Sequence, residues 1–352
     1  MSQSIKNLDY IKIEDNIVPP ELTRHLFEEK DGKSYTNLIS LFKDYSENKT
    51  VAFIGAGMSI PLDIPGWKDL MERLLDKCST RFKNKYKKKL GLGPKAYPEL
   101  ADDIFKSLKR RQKAAEFYDE IRQMMDPQVI SHTQTHEKIV ATTNIQLTTN
   151  FDSAIDQTYK HFRDLGDRIA DEKLKISPNV FSIYNNEIER PPDSSKGNIY
   201  YLHADMQSDF YILRKCDYNR YYPNVSKKKA GSQNCIIHCL RTFYQFNNIV
   251  FIGFSFDDNY VKECFYAIAK QVQLEYEESQ NRYDIACRPG PRKNQIRHYL
   301  LVSENTAKDW LQKNSISIFK EFEPLNIYPI IYSKNRHLFI YDLFNKLDRA
   351  RG

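Results

Sequence analysis

The sequence lacks several features that would place the protein in a special class. No apolar run among its 352 residues is long enough to cross a bilayer. The N-terminus, Met1 to Asn16, is polar and lacks the basic-then-apolar order of a signal peptide. The chain also has no internal repeat and no low-complexity tract. These absences predict a cytoplasmic protein that makes no contact with a membrane.

Cysteine is scarce and scattered. None of the six cysteines forms a Cys-x-x-Cys pair, and a structural zinc site usually needs two such pairs. The sequence therefore predicts free thiols and no metal site. The cysteines are Cys78, Cys216, Cys235, Cys239, Cys264 and Cys287.

Acidic residues are missing from one strongly basic stretch, Arg81 to Lys89, although the chain as a whole carries a net charge of only +7. Two further basic clusters lie at Lys106 to Lys113 and Lys227 to Lys229. Such patches can bind nucleic acid or an acidic partner. No nucleic-acid motif accompanies them, so we interpret them as solvated surfaces. Hydrophobic residues are 41% of the chain and charged residues 28%, which is typical of a soluble globular protein.

The most informative stretch is Thr50 to Ser59. Its apolar residues predict a short buried strand, which ends at Gly55 and Gly57. A helical pattern that begins near Trp67 follows. A strand, a glycine turn and a helix together offer backbone N–H groups to a pyrophosphate. Ile60 stands where the third glycine of the usual dinucleotide fingerprint belongs, so a simple tight turn is the alternative reading.

Three later apolar strands also end in small or polar residues. The predicted strands are Ile145–Thr149, Ile199–Leu202 and Ile249–Ile252. The residues that follow them are Asn150 and Asp152, then His203, then Gly253, Ser255 and Asp258. If the strands are parallel, all these loops meet at one crevice. The alternatives are that the Asn and Asp side chains cap helices and that the histidine is structural.

The alternation of helices and strands predicts an α/β fold with a Rossmann-like, mostly parallel sheet flanked by helices. Residues 1–34 are predicted to form an N-terminal arm, with a short helix near Glu21 to Glu29. Residues 35–352 are predicted to form the main domain, with a helical insertion at about 68–140. A polar segment lies around Asp217 to Lys229, and the charged composition of Gln273 to Lys293, with Pro289-Gly290-Pro291, predicts a surface loop.

Taken together, the four loops resemble the sirtuin-related, SIR2-like domain. The matching motifs are Gly55-Ala56-Gly57-Met58-Ser59, Thr149-Asn150-Phe151-Asp152, Leu202-His203 and Gly253-Phe254-Ser255. Two departures are clear. The paired cysteines of the zinc module in protein-deacylating sirtuins are missing, and Ala204 replaces the glycine that commonly follows the histidine. The departures resemble a SIR2-like branch found in bacterial antiphage defence.

The resemblance implies specific roles for these residues. NAD⁺ is the substrate, and no metal is required. Asn150 orients the ribose or the attacking water, and His203 accepts a proton. Asp152 contacts the carboxamide of nicotinamide. The other expected NAD⁺-binding residues lie in the glycine loop and after the late strand: Gly55, Ala56, Gly57, Ser59, Gly253, Ser255 and Asp258.

The expected function is therefore an NAD⁺ glycohydrolase that yields ADP-ribose and nicotinamide and depletes NAD⁺ in antiphage defence. A protein deacylase or an ADP-ribosyltransferase shares the cofactor, and a non-enzymatic sensor of NAD⁺ or ADP-ribose needs only the glycine loop. The basic clusters alone suggest a nucleic-acid-processing subunit.

Such an activity must be gated, because an unrestrained NAD⁺ hydrolase would kill its own cell. We expect a homo-oligomer and a protein partner such as a HerA-like ATPase or an Argonaute-type protein, which related systems use. Nucleic acid is expected only through that partner or the basic clusters.

Overall fold

The computed structural model describes residues 20–23, 26, 32–47, 50–126, 131–166, 178–183, 187–192, 197–205, 208, 210–222, 235–283, 296–333 and 336–349. In this part of the chain, seven strands form one sheet in the order β3-β4-β2-β1-β5-β6-β7, and every pairing is parallel. The strands are β1 (Thr50–Ile54), β2 (Ile145–Thr148), β3 (Asn179–Ser182), β4 (Asn198–Tyr201), β5 (Asn248–Ile252), β6 (His298–Ser303) and β7 (Ile327–Tyr332). The predicted Rossmann-like α/β fold is confirmed.

Helices connect the strands and cover both faces of the sheet. They are α1 (Pro20–Thr23), α2 (Lys33–Glu47), α3 (Trp67–Asp76), α4 (Thr80–Leu90), α5 (Tyr97–Arg110), α6 (Ala114–Met125), α7 (Gln134–Thr142), α8 (Ala154–Gly166), α9 (Lys215–Tyr221), α10 (Cys235–Phe246), α11 (Asn259–Tyr283), α12 (Glu304–Asn314), α13 (Ile318–Phe322) and α14 (Arg336–Arg349). None of these helices is long and apolar enough to cross a membrane.

The sheet separates two hydrophobic cores. Successive side chains of a strand point to opposite faces, so Val51 and Phe53 of β1 enter one core while Ala52 and Ile54 enter the other. Helices α3–α6 and α9–α13 cover the first face, and α2, α7, α8 and α14 cover the second. Burial on both faces explains why the central strands are apolar throughout rather than alternating.

Five helices, α3 to α7, occupy the described part of the segment between β1 and β2. Helices α3 to α6 pack on one another and share the first core with the sheet. Helix α7 differs from them, because it packs against α14 and α8 on the second face. Helix α2 begins at Lys33, near the predicted end of the arm, and most of residues 1–31 lie outside the described residues.

Two elements differ from the sequence predictions. Strand β3 was not predicted, since only four residues at the sheet edge form it. Helix α11 extends to Tyr283, so residues 273–283 are helical rather than a loop.

The strand order reverses its direction at one position of the sheet, between β1 and β5. From β1 the chain builds the sheet in one direction through β2, and the strands from β5 onward extend it in the other direction. In open parallel sheets, ligands bind at the carboxyl ends of the strands where this reversal occurs. The loops that follow β1 and β5 lie at that position, and they are two of the loops selected from the sequence.

Candidate functional site

A cavity of about 440 Å³ opens at this edge of the sheet. Its volume lies within the range of small-molecule sites. Nine of the ten predicted site residues line it: Ala56, Gly57, Ser59, Asn150, Asp152, His203, Gly253, Ser255 and Asp258. Only Gly55 does not. The structure thus brings residues from four separate loops to a single cavity, as the sequence predicted.

Gly55, Gly57 and Gly253 interlock the loops after β1 and β5. A Cβ on Gly55 would lie 2.5 Å from the carbonyl oxygen of Gly253, and a Cβ on Gly57 would lie 2.8 Å from it. Gly253 has a φ of 63°, and a Cβ there would lie 2.7 Å from the nitrogen of Met58. These contacts are with backbone atoms, which cannot move aside as a flexible side chain can. The three glycines are therefore required for the close approach of two backbones.

The same packing engages two of the amides that were expected to hold a pyrophosphate. The N–H of Gly55 donates to the carbonyl oxygen of Ile252 at 2.8 Å, and that of Gly57 donates to Gly253 at 2.9 Å. The amide of Ala56, between them, has no acceptor among the described residues. Gly55 and Gly57 thus shape the loop rather than offer free donors, while Ala56 still presents its N–H.

A chain of hydrogen bonds joins the glycine loop to the loop after β2. The side-chain Nδ2 of Asn150 donates to Ser59 Oγ at 3.1 Å, and Ser59 Oγ donates to Asp152 Oδ2 at 2.7 Å. All three side chains are buried. The second carboxylate oxygen, Asp152 Oδ1, accepts the N–H of Ala154 and caps helix α8. Capping and ligand contact are therefore compatible for this aspartate.

Burial and a hydrogen bond act in opposite directions on the pKa of Asp152. The loss of solvent raises the pKa of its carboxyl group, while the hydrogen bond from Ser59 acts in the opposite direction. The hydroxyl of Ser59 thus favours the ionised form of this carboxyl group, whereas burial, the larger effect, favours the protonated form.

His203 lies at the carboxyl end of β4 among aromatic rings. Its ring contacts Phe151, Tyr218 and Tyr222, and its Nε2 forms a hydrogen bond of 2.8 Å with the hydroxyl of Tyr222. Burial lowers the pKa of the imidazole from 6.5 to about 3, because the charged form loses solvation. The histidine is therefore neutral near pH 7, as a proton acceptor must be.

The backbone directly after His203 is strained. Ala204 is fully buried and adopts a φ of 87°, a left-handed conformation that costs a residue with a Cβ about 1 kcal/mol or more. The carbonyl oxygen of His203 accepts the N–H of Ile212 at 3.0 Å and holds this turn in place. The turn thus has the backbone geometry that favours glycine, although the sequence has alanine.

Asp258 and Ser255 lie in the loop after β5 with different surroundings. Asp258 Oδ1 accepts the N–H groups of Tyr260 and Val261 and caps α11, and its Oδ2 accepts the hydroxyl of Tyr218 at 2.6 Å. Burial raises the pKa of Asp258 to about 6. Ser255 is exposed. Asp258 therefore also supports Tyr218, which packs on His203.

Several cavity residues were not identified from the sequence. Trp67 and Tyr97 meet edge to face at 5.7 Å, and Tyr218 lies beside His203. Pro94 and Met125 show that the helical insertion supplies part of the lining. Apolar residues on helices are typical of a core, so their spacing alone gave no signal. The metal-ligand cluster found among the described residues, at His132, Glu137 and His161, lies outside this cavity.

Replacing Ser59 with alanine tests the hydrogen-bond chain. The variant leaves buried groups of Asn150 and Asp152 without this partner, so we expect the free energy of unfolding to fall by about 1–3 kcal/mol. Urea denaturation measures the change. Ser317→Ala is the control, because Ser317 caps α13 by a similar hydroxyl contact and does not line the cavity. An unchanged stability in Ser59→Ala would contradict the role assigned to its hydroxyl.

The lowered pKa of His203 predicts a pH dependence of stability. The unfolded chain takes up a proton near pH 6.5 and the folded chain only near pH 3, so this histidine's contribution is full above pH 6.5 and declines as the pH falls. We expect the stability advantage of the parent over His203→Gln to shrink by about 2 kcal/mol between pH 7 and pH 5. Urea denaturation of both proteins at the two pH values measures it. Asp156 and Asp258, whose pKa values are raised to about 6, are present in both proteins. A pH-independent difference would contradict the buried neutral state.

Comparison with known families agrees with this geometry. Residues 144–318 match the family model of the SIR2-like domain. The match begins immediately before β2 and includes Asn150, Asp152, His203, Gly253, Ser255 and Asp258. Strand β1 and the glycine loop precede the match but lie in the middle of the same sheet, between β2 and β5. No curated protein matches the chain. Residues 144–318 are therefore similar to the SIR2-like domain, a domain that uses NAD⁺ as substrate.

Proposed function

We propose that the protein hydrolyses NAD⁺ to nicotinamide and ADP-ribose in the cavity beside β1 and β5. The observation that carries the proposal is the buried chain Asn150–Ser59–Asp152 on the same cavity as the neutral His203. The amide of Asn150 and the carboxylate of Asp152 come from the loop after β2, and the imidazole of His203 comes from the loop after β4; together they supply the positioning groups and the base for a glycosidic cleavage by water.

The glycine loop supports placement of the pyrophosphate. Ala56 lines the cavity, and its N–H has no acceptor among the described residues, so we propose this amide as a donor to a phosphate oxygen. Asp258 and the exposed Ser255 border the same cavity and are the proposed contacts on the adenosine side. The buried carboxylate of Asp152 is the proposed acceptor for the carboxamide N–H of nicotinamide.

The proposed reaction breaks the bond between the ribose C1′ and the nicotinamide nitrogen. The bonding electrons leave with nicotinamide, positive charge develops on the ribose, and the oxygen of water bonds to C1′. Asn150 positions the ribose or this water, and His203 accepts the released proton through its neutral imidazole.

Incubation of the purified protein with NAD⁺, followed by separation of the products, tests the proposal. We expect nicotinamide and ADP-ribose in equal amounts and no product that needs an acyl-lysine peptide. ADP-ribose attached to protein would favour a transferase, and an acylated ADP-ribose formed only with acyl peptide would favour a deacylase. Binding of NAD⁺ without any product, both alone and with the candidate partners below, would favour a sensor.

Chelation gives an independent prediction. Every group assigned to the reaction is an organic side chain or a backbone amide, so we expect NAD⁺ cleavage to continue at an unchanged rate after treatment with EDTA at 25 °C. Product formation with and without chelator measures this. Inactivation that added zinc reverses would contradict the assignment of roles.

We propose further that this hydrolase is the NAD⁺-depleting effector of an antiphage system, gated by a partner and by homo-oligomerisation. Helix α4 offers a docking surface, since Arg81, Lys85, Lys87 and Lys88 are exposed and make no ion pair within the described residues. A HerA-like ATPase or an Argonaute-type protein is the proposed partner. Light scattering and NAD⁺ assays with and without the partner test this. A fully active monomer would contradict gating.

A further inference from the structure

His132, Glu137 and His161 form a cluster on the second face of the fold. His132 lies just before α7, Glu137 lies in the first turn of α7, and His161 lies on α8. One atom from each residue, two imidazole nitrogens and one carboxylate oxygen, lies within 4.8 Å of the others. All three residues are partly exposed, so an ion from solvent can reach them.

The distances within the cluster resemble those of a metal site. The Nε2 atoms of His132 and His161 lie 3.1 and 3.6 Å from the same oxygen, Oε1 of Glu137. Ligands about 2.0–2.2 Å from a tetrahedral zinc ion are separated from one another by roughly 3.4 Å. Two of the three separations therefore already match the edges of such a tetrahedron. The two imidazole rings also lie close together, with centroids 4.7 Å apart.

Ser131 holds one of the histidines in a suitable orientation. Its hydroxyl lies 3.0 Å from Nδ1 of His132, on the side of the ring opposite Glu137. A metal-bound histidine usually has its other nitrogen fixed in this way. When Ser131 accepts the Nδ1 proton, the Nε2 lone pair of a neutral imidazole faces the carboxylate oxygen. A cation between these two atoms turns that repulsive contact into a favourable one.

We infer that His132, Glu137 and His161 bind one Zn²⁺ ion, with water as the fourth ligand. Two imidazoles and one carboxylate are a donor set that suits this ion. Bound there, the ion joins the start of α7 to α8. The proposal does not depend on the proposed function, because the two sites are far apart. His161 lies nine residues after Asp152, which corresponds to a rise of about 13 Å along a helix. The sequence gave no sign of it, since the two histidines are distant in the chain and no cysteine takes part.

Titration of the untagged full-length protein with Zn²⁺, after removal of metal by chelator and dialysis, tests the inference. We expect one ion per chain by isothermal calorimetry and by metal analysis after gel filtration. His161→Ala and Glu137→Gln should each weaken binding by at least about 100-fold, and Ser131→Ala by about 10-fold, since loss of an orienting partner costs 10–100-fold. His238→Ala is the matched control, because His238 is exposed on α10 and belongs to no such cluster among the described residues.

Thermal unfolding provides a second readout that does not depend on activity. Zn²⁺ should raise the Tm of the parent and of His238→Ala by a few degrees, and should leave the Tm of His161→Ala and Glu137→Gln unchanged. Circular dichroism without metal shows whether each variant is folded. If the parent retains no zinc, or if the parent and Glu137→Gln retain equal amounts, the three residues form only a hydrogen-bonded cluster and the inference is wrong.

Discussion

Asn150→Ala and His203→Ala should each reduce NAD⁺ cleavage by roughly 10²–10⁴-fold, the usual cost of removing a positioning group or a general base. Both side chains line the cavity, and they come from different loops of the sheet. Loss of the amide leaves the ribose or water without its orienting contact, and loss of the imidazole removes the proton acceptor. Initial rates of nicotinamide release measure both effects.

The controls separate loss of chemistry from loss of structure. His203→Gln preserves much of the side-chain volume among Phe151, Tyr218 and Tyr222, so it should be folded and as inactive as His203→Ala. Asn314→Ala changes an amide that bonds only to the preceding turn of α12, and it should keep the parental rate. Parental rates in both Asn150→Ala and His203→Ala would place the reaction elsewhere.

Gly55→Ala should destabilise the fold by about 4 kcal/mol or more, which is exceptional for the addition of one methyl group. The new Cβ would lie 2.5 Å from the carbonyl oxygen of Gly253 and 2.6 Å from the Cα of Phe254. Relief requires the separation of β1 from β5 at the centre of the sheet. Urea denaturation, or the yield of folded protein where the variant does not fold, measures the effect.

Gly91→Ala is the matched control for this substitution. Gly91 follows α4 with a φ of −69°, and the nearest atom to an added Cβ lies at an ordinary distance of 3.4 Å. We expect a change within about 1 kcal/mol in either direction. If Gly55→Ala and Gly91→Ala were equally stable, the close approach of the two loops would not be a property of the protein in solution.

Much of the fold was predictable because burial on both faces makes each central strand a compact apolar run. Strands β1, β2, β4 and β5 were all identified within one or two residues. Strand β3 lies at the edge and pairs on one side only, so it carries too little apolar pattern. The end of α11 was missed because residues 273–278 are mostly polar and none of them is buried, and the helical pattern fades where no face is buried.

The cavity was predictable in part for a related reason. Parallel strands place their carboxyl ends together, so each strand that was found also located a loop, and nine of the ten predicted residues line one cavity. The sequence could not show that the Gly55 and Gly57 amides already donate hydrogen bonds within the protein. Their acceptors lie at the end of β5, nearly two hundred residues later in the chain.

The interlocked glycines also determine which wall of the cavity can move. The loops after β1 and β5 are joined by hydrogen bonds from Gly55 and Gly57 and have no space between their backbones, so they form one rigid wall. Trp67 and Tyr97, which also line the cavity, come instead from helices α3 and α5. If the proposed substrate enters past these two rings, the opening arises from a tilt of α3 or α5 rather than from separation of the interlocked loops. A tether that fixes α3 to α5 would then slow substrate entry and product release without altering the chemical groups.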